Sequence, residues 1–351
     1  MDKQGFIEPA LLRGLFESGL MGIEIPSNFG GSDLNFVCSL IAIEEISKVD
    51  PSIAILVDVQ NTLIINLLKK LGTVEQKEQW LPRLARDTVG SFCLSEADSG
   101  SDAFSMRTVA KNDGTDFIIN GSKMWISNSS EAGLFVVMAN ANPLAGYKGI
   151  TVFLVPREVS GLTVGARERK LGLRASSTCQ VHFDSVRVPS SSVLGEIGQG
   201  YRYAIEMLNE GRIGIGAQML GLAEGCFGHA LDYVRERKQF GSRIWDFQAI
   251  QHQIAEEAVQ LAAARAFLYN TARRKEGGFS IQKEAAMVKY FTSNMACRIA
   301  SRAVEWLGGV GYTEAYPVEK FYRDVKIGTI YEGTSNIQLN TIAKCIDREL
   351  S

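Results

Sequence analysis

Histidine is scarce in this chain of 351 residues, and His182, His229 and His252 are widely separated and sit in no ligand motif. No metal site is expected from them, nor a catalytic triad; structural histidines are the simpler reading. The six cysteines, at 38, 93, 179, 226, 297 and 345, include no close pair and no Cys-x-x-Cys. That suits a reducing compartment, with the thiols buried or idle. There is no nucleophile-elbow serine and no Cys/His pair. Charge of one sign is also missing, with Lys+Arg 37 against Asp+Glu 39, so no field favours nucleic acid or an anionic membrane surface. No Gly-x-Gly-x-x-Gly opens a helix after a strand, which disfavours a conventional dinucleotide-binding fold. No apolar stretch reads as long enough to span a bilayer, so no membrane insertion is expected. The opening MDKQGFIEPALLRGLF carries acids and shows neither transit-peptide nor signal-peptide character.

What is present is enough apolar material, 46% of residues, to build large cores in two or three packed units. The periodicity changes twice. From 6 to about 88, apolar residues recur at helical spacing, as in Ile41, Ile43, Ile46 and Leu63, Ile64, Leu67, Leu68, Leu71. From 89 to about 190 the runs are short and β-rich: 108–110, 117–120, 134–139, 150–155 and 180–188. Asn112-Asp113-Gly114 and Asn120-Gly121 read as hairpin turns between them. From about 197 to 350 long helical patterns return, such as Tyr201, Ile205, Leu208 and Ala258, Leu261, Ala262, Arg265, Leu268; four or so long helices in sequence make a bundle. No internal repeat interrupts the order helices, β unit, helices.

Fold alone gives no chemistry, so four strings carry the functional argument. In CLSEADSGSDAFS, from Cys93, the serines 95, 99 and 101 with Gly100 can wrap a phosphate or a flat polar ring; a plain Ser/Gly loop is the alternative. Trp125 in KMWIS can fill a core or lie on a planar cofactor, and Ser127 falls on the same strand face. In IYEGTSNIQ, Glu332 stands between an apolar-aromatic run and Gly333-Thr334-Ser335-Asn336. A carboxylate in apolar surroundings gains the proton affinity of a useful general base, whereas a solvated loop glutamate does nothing of the kind. Arg237 and Phe240 in ERKQFGSR, with Gln248 and Gln251 beyond, offer a cation, a ring and amides, or simply an exposed charged turn.

Taken in order, these strings resemble the acyl-CoA dehydrogenase family along almost the whole chain. CLSEADSGSD is similar to its first signature and EWLGGVGY followed by YPVEKFYRD to its second, with KMWIS, KLGLRASST, ERKQFG and IYEGTS as further landmarks. GSKMWIS, GYKGIT, KLGLRASSTC, LNEGRIGI, KIGTIYEG and SNIQLNTIAK resemble the short/branched-chain branch of that family. The resemblance implies an α+β chain of three parts: an N-terminal helical domain (1–88), entered after the family's first helix, a middle antiparallel β-barrel domain (89–196) and a C-terminal four-helix bundle (197–351). It also implies FAD, a homotetramer in which each FAD touches a neighbouring subunit, electron transfer flavoprotein as electron acceptor, and a mitochondrial matrix location.

Residue by residue, Phe92, Cys93, Leu94, Ser95, Glu96, Gly100 and Ser101 match the loop lining the flavin and its pyrophosphate, and Trp125, Ile126 and Ser127 the segment packed on the flavin ring. Arg237, Phe240 and Gln248 match groups that reach a neighbour's FAD; Glu305, Trp306, Leu307, Gly308 and Gly309 match another flavin-contact stretch, and Thr334, Ser335 and Asn336 complete the set. Ser101, Tyr147, Tyr201, Asn209, Glu210, Gly211, Arg212 and Gly333 match acyl-CoA contacts, and Glu332 the catalytic base. Isovaleryl-type members carry their base just before the equivalent of Arg212, where this chain has Gly211. Two positions depart from the family pattern: Glu305 stands where many members have glutamine, and Ala315, after Glu314, where an acid is usual. The implied reaction is α,β-dehydrogenation of a short or branched acyl-CoA, with an acyl-CoA oxidase and a catalytically silent flavoprotein or assembly subunit as the other readings.

Overall fold

The change of period near residue 89 marks a change of structure. A computed structural model describes residues 1–351, which divide into two compact units, one of 1–39, 56–169 and 174–211 and the other of 40–55, 170–173 and 212–351.

The first unit contains the helices α1 (Pro9–Glu17) and α5 (Val74–Arg86) and most of an apolar helix, Pro51–Leu71, assembled from α3 (Pro51–Asp58), a π-helical stretch (Val59–Ile65) and α4 (Asn66–Leu71). By length and composition Pro51–Leu71 could cross a membrane, which corrects the expectation that no apolar stretch is long enough. Its surroundings explain it: the helix is apolar on every side because protein encloses it. Its central amides are satisfied inside the fold. Gln60 donates to the carbonyls of Leu84 and Thr88, each at 3.0 Å, and accepts from the Gly90 N–H at 2.8 Å. α5 starts on a capping box in which Thr73 and Gln76 satisfy each other's backbone N–H groups.

A seven-stranded sheet completes this unit: β1 (Val89–Cys93), β2 (Val109–Asp113), β3 (Asp116–Ser127), β4 (Ala132–Asn140), β5 (Ile150–Pro156), β6 (Leu162–Arg167) and β7 (Thr178–Pro189). Their order is β1-β4-β2-β3-β7-β6, with β5 also paired to β4. Inward-pointing Phe117, Phe135, Phe153, Val181 and Val188 form its core.

Two expectations change here. The sheet is mixed, not purely antiparallel, because β1 runs parallel to β4 and β2 meets β4 in parallel at Val109 and Asn140. Asn112-Asp113-Gly114 does form the β2–β3 turn, with Asp113 opposite Asp116. Asn120-Gly121 does not turn: it lies inside β3, where the register with β7 shifts between Ile119 and Gly121. A Cβ on Gly121 would lie 2.7 Å from the Thr108 Cα, so glycine serves close backbone approach at a bulge instead of a hairpin. A second shift falls between Lys123 and Ile126. It brings both Lys123 and Ile126 inward and leaves Trp125 outward.

The second unit is helical: α6 (Gly200–Glu236) from Arg212 onward, α7 (Gln248–Glu276), α8 (Gln282–Leu307), the short α9 (Val318–Val325) and α10 (Ser335–Leu350). α8 is the hub, packed against α7, α9 and α10. The end of α2 (Phe36–Ser47) lies directly on α6, since a Cβ on Gly221 would stand 2.0 Å from the Glu44 carbonyl oxygen and one on Gly225 2.1 Å from that of Lys48. Ser47 ties the two together by donating to the Gln218 carbonyl at 2.6 Å. Gly221→Ala is therefore expected to force the helices apart at a cost of about 1–3 kcal/mol, read as a lower urea midpoint of the holoprotein.

Candidate active site

Glu332 occupies the turn that leads into α10, and four side chains of the same unit hold that turn. The Tyr331 hydroxyl donates to Gln218 Oε1 on α6, while Gln218 Nε2 donates to the Pro51 carbonyl at 2.8 Å. Gln338, one turn into α10, donates from Nε2 to the Glu332 carbonyl at 2.9 Å and to the Gly333 carbonyl at 2.8 Å. Lys289 on α8 reaches the same Gly333 carbonyl at 2.7 Å. Thr334 caps α10 by accepting from the Ile337 N–H. The clamp is needed because Glu332 has φ 52°, a left-handed conformation that costs a non-glycine residue about 1–3 kcal/mol unless its surroundings enforce it.

The carboxylate so presented is unusual. Its Oε2 is out of contact with water and has no hydrogen-bond partner. Burial pushes the Glu332 pKa up to about 7, against the opposing pull of Arg212 and Lys289. Burial also draws Lys289 down to about 8, with Glu332 resisting and Arg212 assisting. The Arg212 guanidinium, on α6, is lowered by burial too, with Glu332 and Cys345 opposing. One carboxylate whose Oε2 is withdrawn from water, beside two buried cations, can change its protonation near neutrality, as a general base requires.

In the first unit the structure joins 92–96 to 124–127. Met124 N–H donates to the Ser95 carbonyl at 2.8 Å, Lys123 Nζ to the Leu94 carbonyl at 2.9 Å, and Ser91 Oγ to the Ser127 carbonyl at 2.9 Å. Trp125, with φ 63°, stays 55% exposed although its neighbour Ile126 is buried. Ser127 is half-buried, and the alternation keeps it on Trp125's side. An open indole face beside a hydroxyl and unhindered backbone suits a flat ring with polar edges. Gly100 and Ser101, just after the 92–96 segment, are exposed, and a Cβ on Gly100 would meet nothing.

The side chains of Cys93 and Glu96 point the other way. Cys93 lies in the sheet core, where burial pushes its thiol up to about 12. Glu96 accepts from Lys123 Nζ at 2.9 Å and from the N–H groups of Arg107 and Thr108 at 2.6 and 3.0 Å. Phe92 is half-buried and Leu94 buried. For Cys93, Leu94 and Glu96, backbone is what remains for a cofactor.

Elsewhere the expected residues separate into exposed and buried sets. Arg237 and Gln248 are exposed, and Phe240, with φ 53°, is 96% exposed with only an edge contact to Phe247 at 6.3 Å. Glu305, Gly308 and Gly309 are exposed, and neither glycine's Cβ position meets an atom. Trp306 and Leu307 are core residues: Trp306 donates from Nε1 to Gln253 Oε1 at 2.8 Å and packs edge-on to Phe227. Ser335 is half-buried and Asn336 exposed at the start of α10. Tyr147 and Tyr201 form an aromatic pair with centroids 4.9 Å apart, extended by Phe104 at 6.4 Å from Tyr201. Glu210 accepts from Asn66 at 2.9 Å, while Asn209 and Gly211 flank it on α6. Thus an exposed ring and a hydroxyl stand together at Trp125 and Ser127 in the first unit, and the second unit exposes a guanidinium at Arg237, a ring at Phe240 and open glycines at Gly308 and Gly309.

Lys289, Gln338, Gln218 and Lys123 were not anticipated. Lys289 had a signal: the spacing of Ala285, Val288, Thr292 and Ala296 places it in the buried stripe of α8, where a lone lysine asks for a reason.

Against known families, the N-terminal, middle and C-terminal domain models of acyl-CoA dehydrogenase match residues 1–88, 91–186 and 198–346. A mitochondrial short/branched chain specific acyl-CoA dehydrogenase of Rattus norvegicus is 58% identical over 349 residues, 99% of this chain and 81% of that protein. The structure of butyryl-CoA dehydrogenase from Megasphaera elsdenii superimposes with a TM-score of 0.96 at 35% identity, covering 98% of this chain and 91% of that one. A glutaryl-CoA dehydrogenase from Mycobacterium smegmatis in complex with FADH2 gives 0.93 at 32% identity, over 98% and 88%.

Proposed function

This chain belongs to the acyl-CoA dehydrogenase family, an FAD-dependent oxidoreductase acting on acyl-CoA, and we propose that Glu332 is its base and a short, branched acyl thioester its substrate. The observation that carries the assignment is the Glu332 Oε2, buried and without a partner beside two cations. Such an atom is costly to keep unless a proton is to be placed on it. Gly211, at the alternative position on α6, has no side chain to compete.

In the reaction Glu332 takes the α-proton of the thioester. Bound FAD supplies the two-electron acceptor for the hydride that leaves the β-carbon. The residues of the first unit that would hold it are Ser95, Trp125 and Ser127; Arg237 and Phe240 would reach the FAD of a neighbouring copy, and Gly308 and Gly309 would be a further flavin-contact stretch. The left-handed turn at Glu332 sets both the carboxylate and the neighbouring backbone N–H, which the protein's own backbone pairing leaves unused. That N–H is a donor for the thioester oxygen as enolate charge develops. Tyr147 and Tyr201 offer the apolar wall for part of the acyl-CoA.

Branching and chain length are proposed from the likeness to the rat enzyme, as is action in the same compartment. Electron transfer flavoprotein is proposed as acceptor, and a homotetramer as the working form, supported by Phe240, a nearly naked aromatic held in a left-handed backbone.

A Glu332 that must be ionised to act gives kcat/KM an acid limb with its midpoint near the pKa of about 7. Activity rises with pH through that value. A limb in the ordinary glutamate range, measured with 2-methylbutyryl-CoA, would contradict the assignment. The same preparation separates the acceptors: slow reoxidation by air fits the dehydrogenase, and rapid reoxidation with stoichiometric peroxide an oxidase.

A further inference from the structure

The proton transfer just described gives Lys289 no part, yet a wholly buried ammonium is among the least favourable groups a fold can retain. Its bond to the Gly333 carbonyl at 2.7 Å does not by itself justify it, because Gln338 already donates to that carbonyl at 2.8 Å. An apolar side chain of similar length would fill the space without the ionic penalty. What an apolar residue cannot supply is charge beside Glu332.

The charged groups that face Glu332 are Arg212 from α6 and Lys289 from α8, while the Cys345 thiol of α10 faces Arg212. Of the two cations, Lys289 is bonded to the backbone of the Glu332 turn itself. It is also the one that can discharge near the working pH, since burial draws it down to about 8, whereas a guanidinium stays charged.

We infer that Lys289 is a positioning residue for the base: its ammonium pins the Gly333 carbonyl and thereby the Glu332 turn, and its charge favours the ionised carboxylate in a site that excludes water. This rests on the reading of Glu332 as the base.

The test uses the FAD-loaded enzyme with Lys289→Met, Lys289→Gln and Lys289→Arg, and Glu332→Gln alongside. Met and Gln both remove the charge, and Gln keeps a donor for the Gly333 carbonyl. Both are expected to retain FAD while the acid limb of kcat moves to higher pH by about one unit or more, as loss of a neighbouring opposite charge requires. At neutral pH kcat then falls about tenfold for each unit of that shift, with KM changing less, and Lys289→Arg keeps the parental limb. Variants that are less stable but keep the parental limb overturn the inference and leave Lys289 a structural residue. A parental rate in Glu332→Gln sinks the base assignment by an independent route, and the inference with it.

If neither uncharged variant folds with FAD, the wild-type protein labelled with carbon-13 glutamate decides. The Glu332 carboxyl resonance, identified by its loss in Glu332→Gln, should show a second inflection near the Lys289 pKa of about 8. A single inflection overturns the coupling.

Discussion

Glu332→Gln is expected to keep FAD, to lose about 10²–10⁴-fold in the rate at which an acyl-CoA reduces the flavin, and to be more stable than the parent above neutral pH. The two effects share one cause. Burial raises the Glu332 carboxyl from 4.5 to about 7, so between those values the folded chain holds a proton that the unfolded chain has released. Stability therefore falls as pH rises through that window. Above it the ionised carboxylate is a full burden on the fold, at most about 3–4 kcal/mol from the size of the shift. Glutamine carries no such charge, so thermal melts at about pH 8 should place Glu332→Gln above the parent, and at about pH 5 the difference should nearly vanish. A base whose removal stabilises the protein is what a site selected for chemistry instead of stability gives. Loss of both activity and stability at about pH 8 would instead mark Glu332 as a structural residue.

The second large effect is expected in the first unit. Lys123 is completely buried in β3, and its ionic partner is Glu96 at 2.9 Å. The pair is unevenly supported. Burial pushes the Glu96 carboxyl up, but Lys123 and the N–H groups of Thr108 and Arg107 together hold it below the usual range. For Lys123 burial prevails over Glu96 and the pKa is lowered, because beyond the carboxylate it has only the Leu94 carbonyl and the Met106 sulfur to donate to. Glu96→Ala thus strands the ammonium and two backbone N–H groups together. A loss of about 3–5 kcal/mol is expected, read from urea unfolding of the holoprotein, with weaker FAD retention because Lys123 also fixes the Leu94 carbonyl in the 92–96 segment. The double variant Glu96→Ala/Lys123→Met should recover part of the loss. If the double variant is no more stable than Glu96→Ala, the stranded charge is not the cause. In pH terms, a carboxyl held low contributes stability above the ordinary glutamate range and loses it as pH falls through the folded value, so the parent's acid unfolding should lie at lower pH than an unpaired glutamate would give.

Much of the molecule was legible because its signals are local. Helical periods marked α6 and α7 and implied a bundle of about four long helices, and strand periods located five of the seven sheet strands. β1 and β6 escaped because Val89–Cys93 and Leu162–Arg167 are short and are interrupted by Gly90-Ser91 and by Gly165. Asn120-Gly121 misled for a physical reason: positive φ serves a bulge as well as a turn, and only pairing with β7 distinguishes them. The Pro51–Leu71 helix did not read as a span because Gln60, Asn61 and Asn66 interrupt its apolar run, and these are satisfied by tertiary contacts that no local window contains.

The site divides in the same way. Glu332 and Trp125 stand in strings that sequence singled out, and both prove to have left-handed backbones, as does Phe240. Trp306, Leu307, Cys93 and Glu96 belong to equally suggestive strings, yet their side chains serve cores and an ion pair. A motif fixes which segment matters, whereas burial decides which atoms of it face a ligand. Lys289 and Gln338 lie 43 residues before and 6 after the base, and only the packing of α8 against α10 brings them to one turn.

The most direct measurement mixes the purified yellow protein with 2-methylbutyryl-CoA under anaerobic conditions, wild type beside Glu332→Gln, and follows the flavin absorbance. Rapid bleaching of the wild type, slowed further by deuterium at the α-carbon, with Glu332→Gln retaining FAD and staying yellow, is the result predicted here. Bleaching of Glu332→Gln at the wild-type rate, or a wild-type flavin that no acyl-CoA reduces, would contradict it.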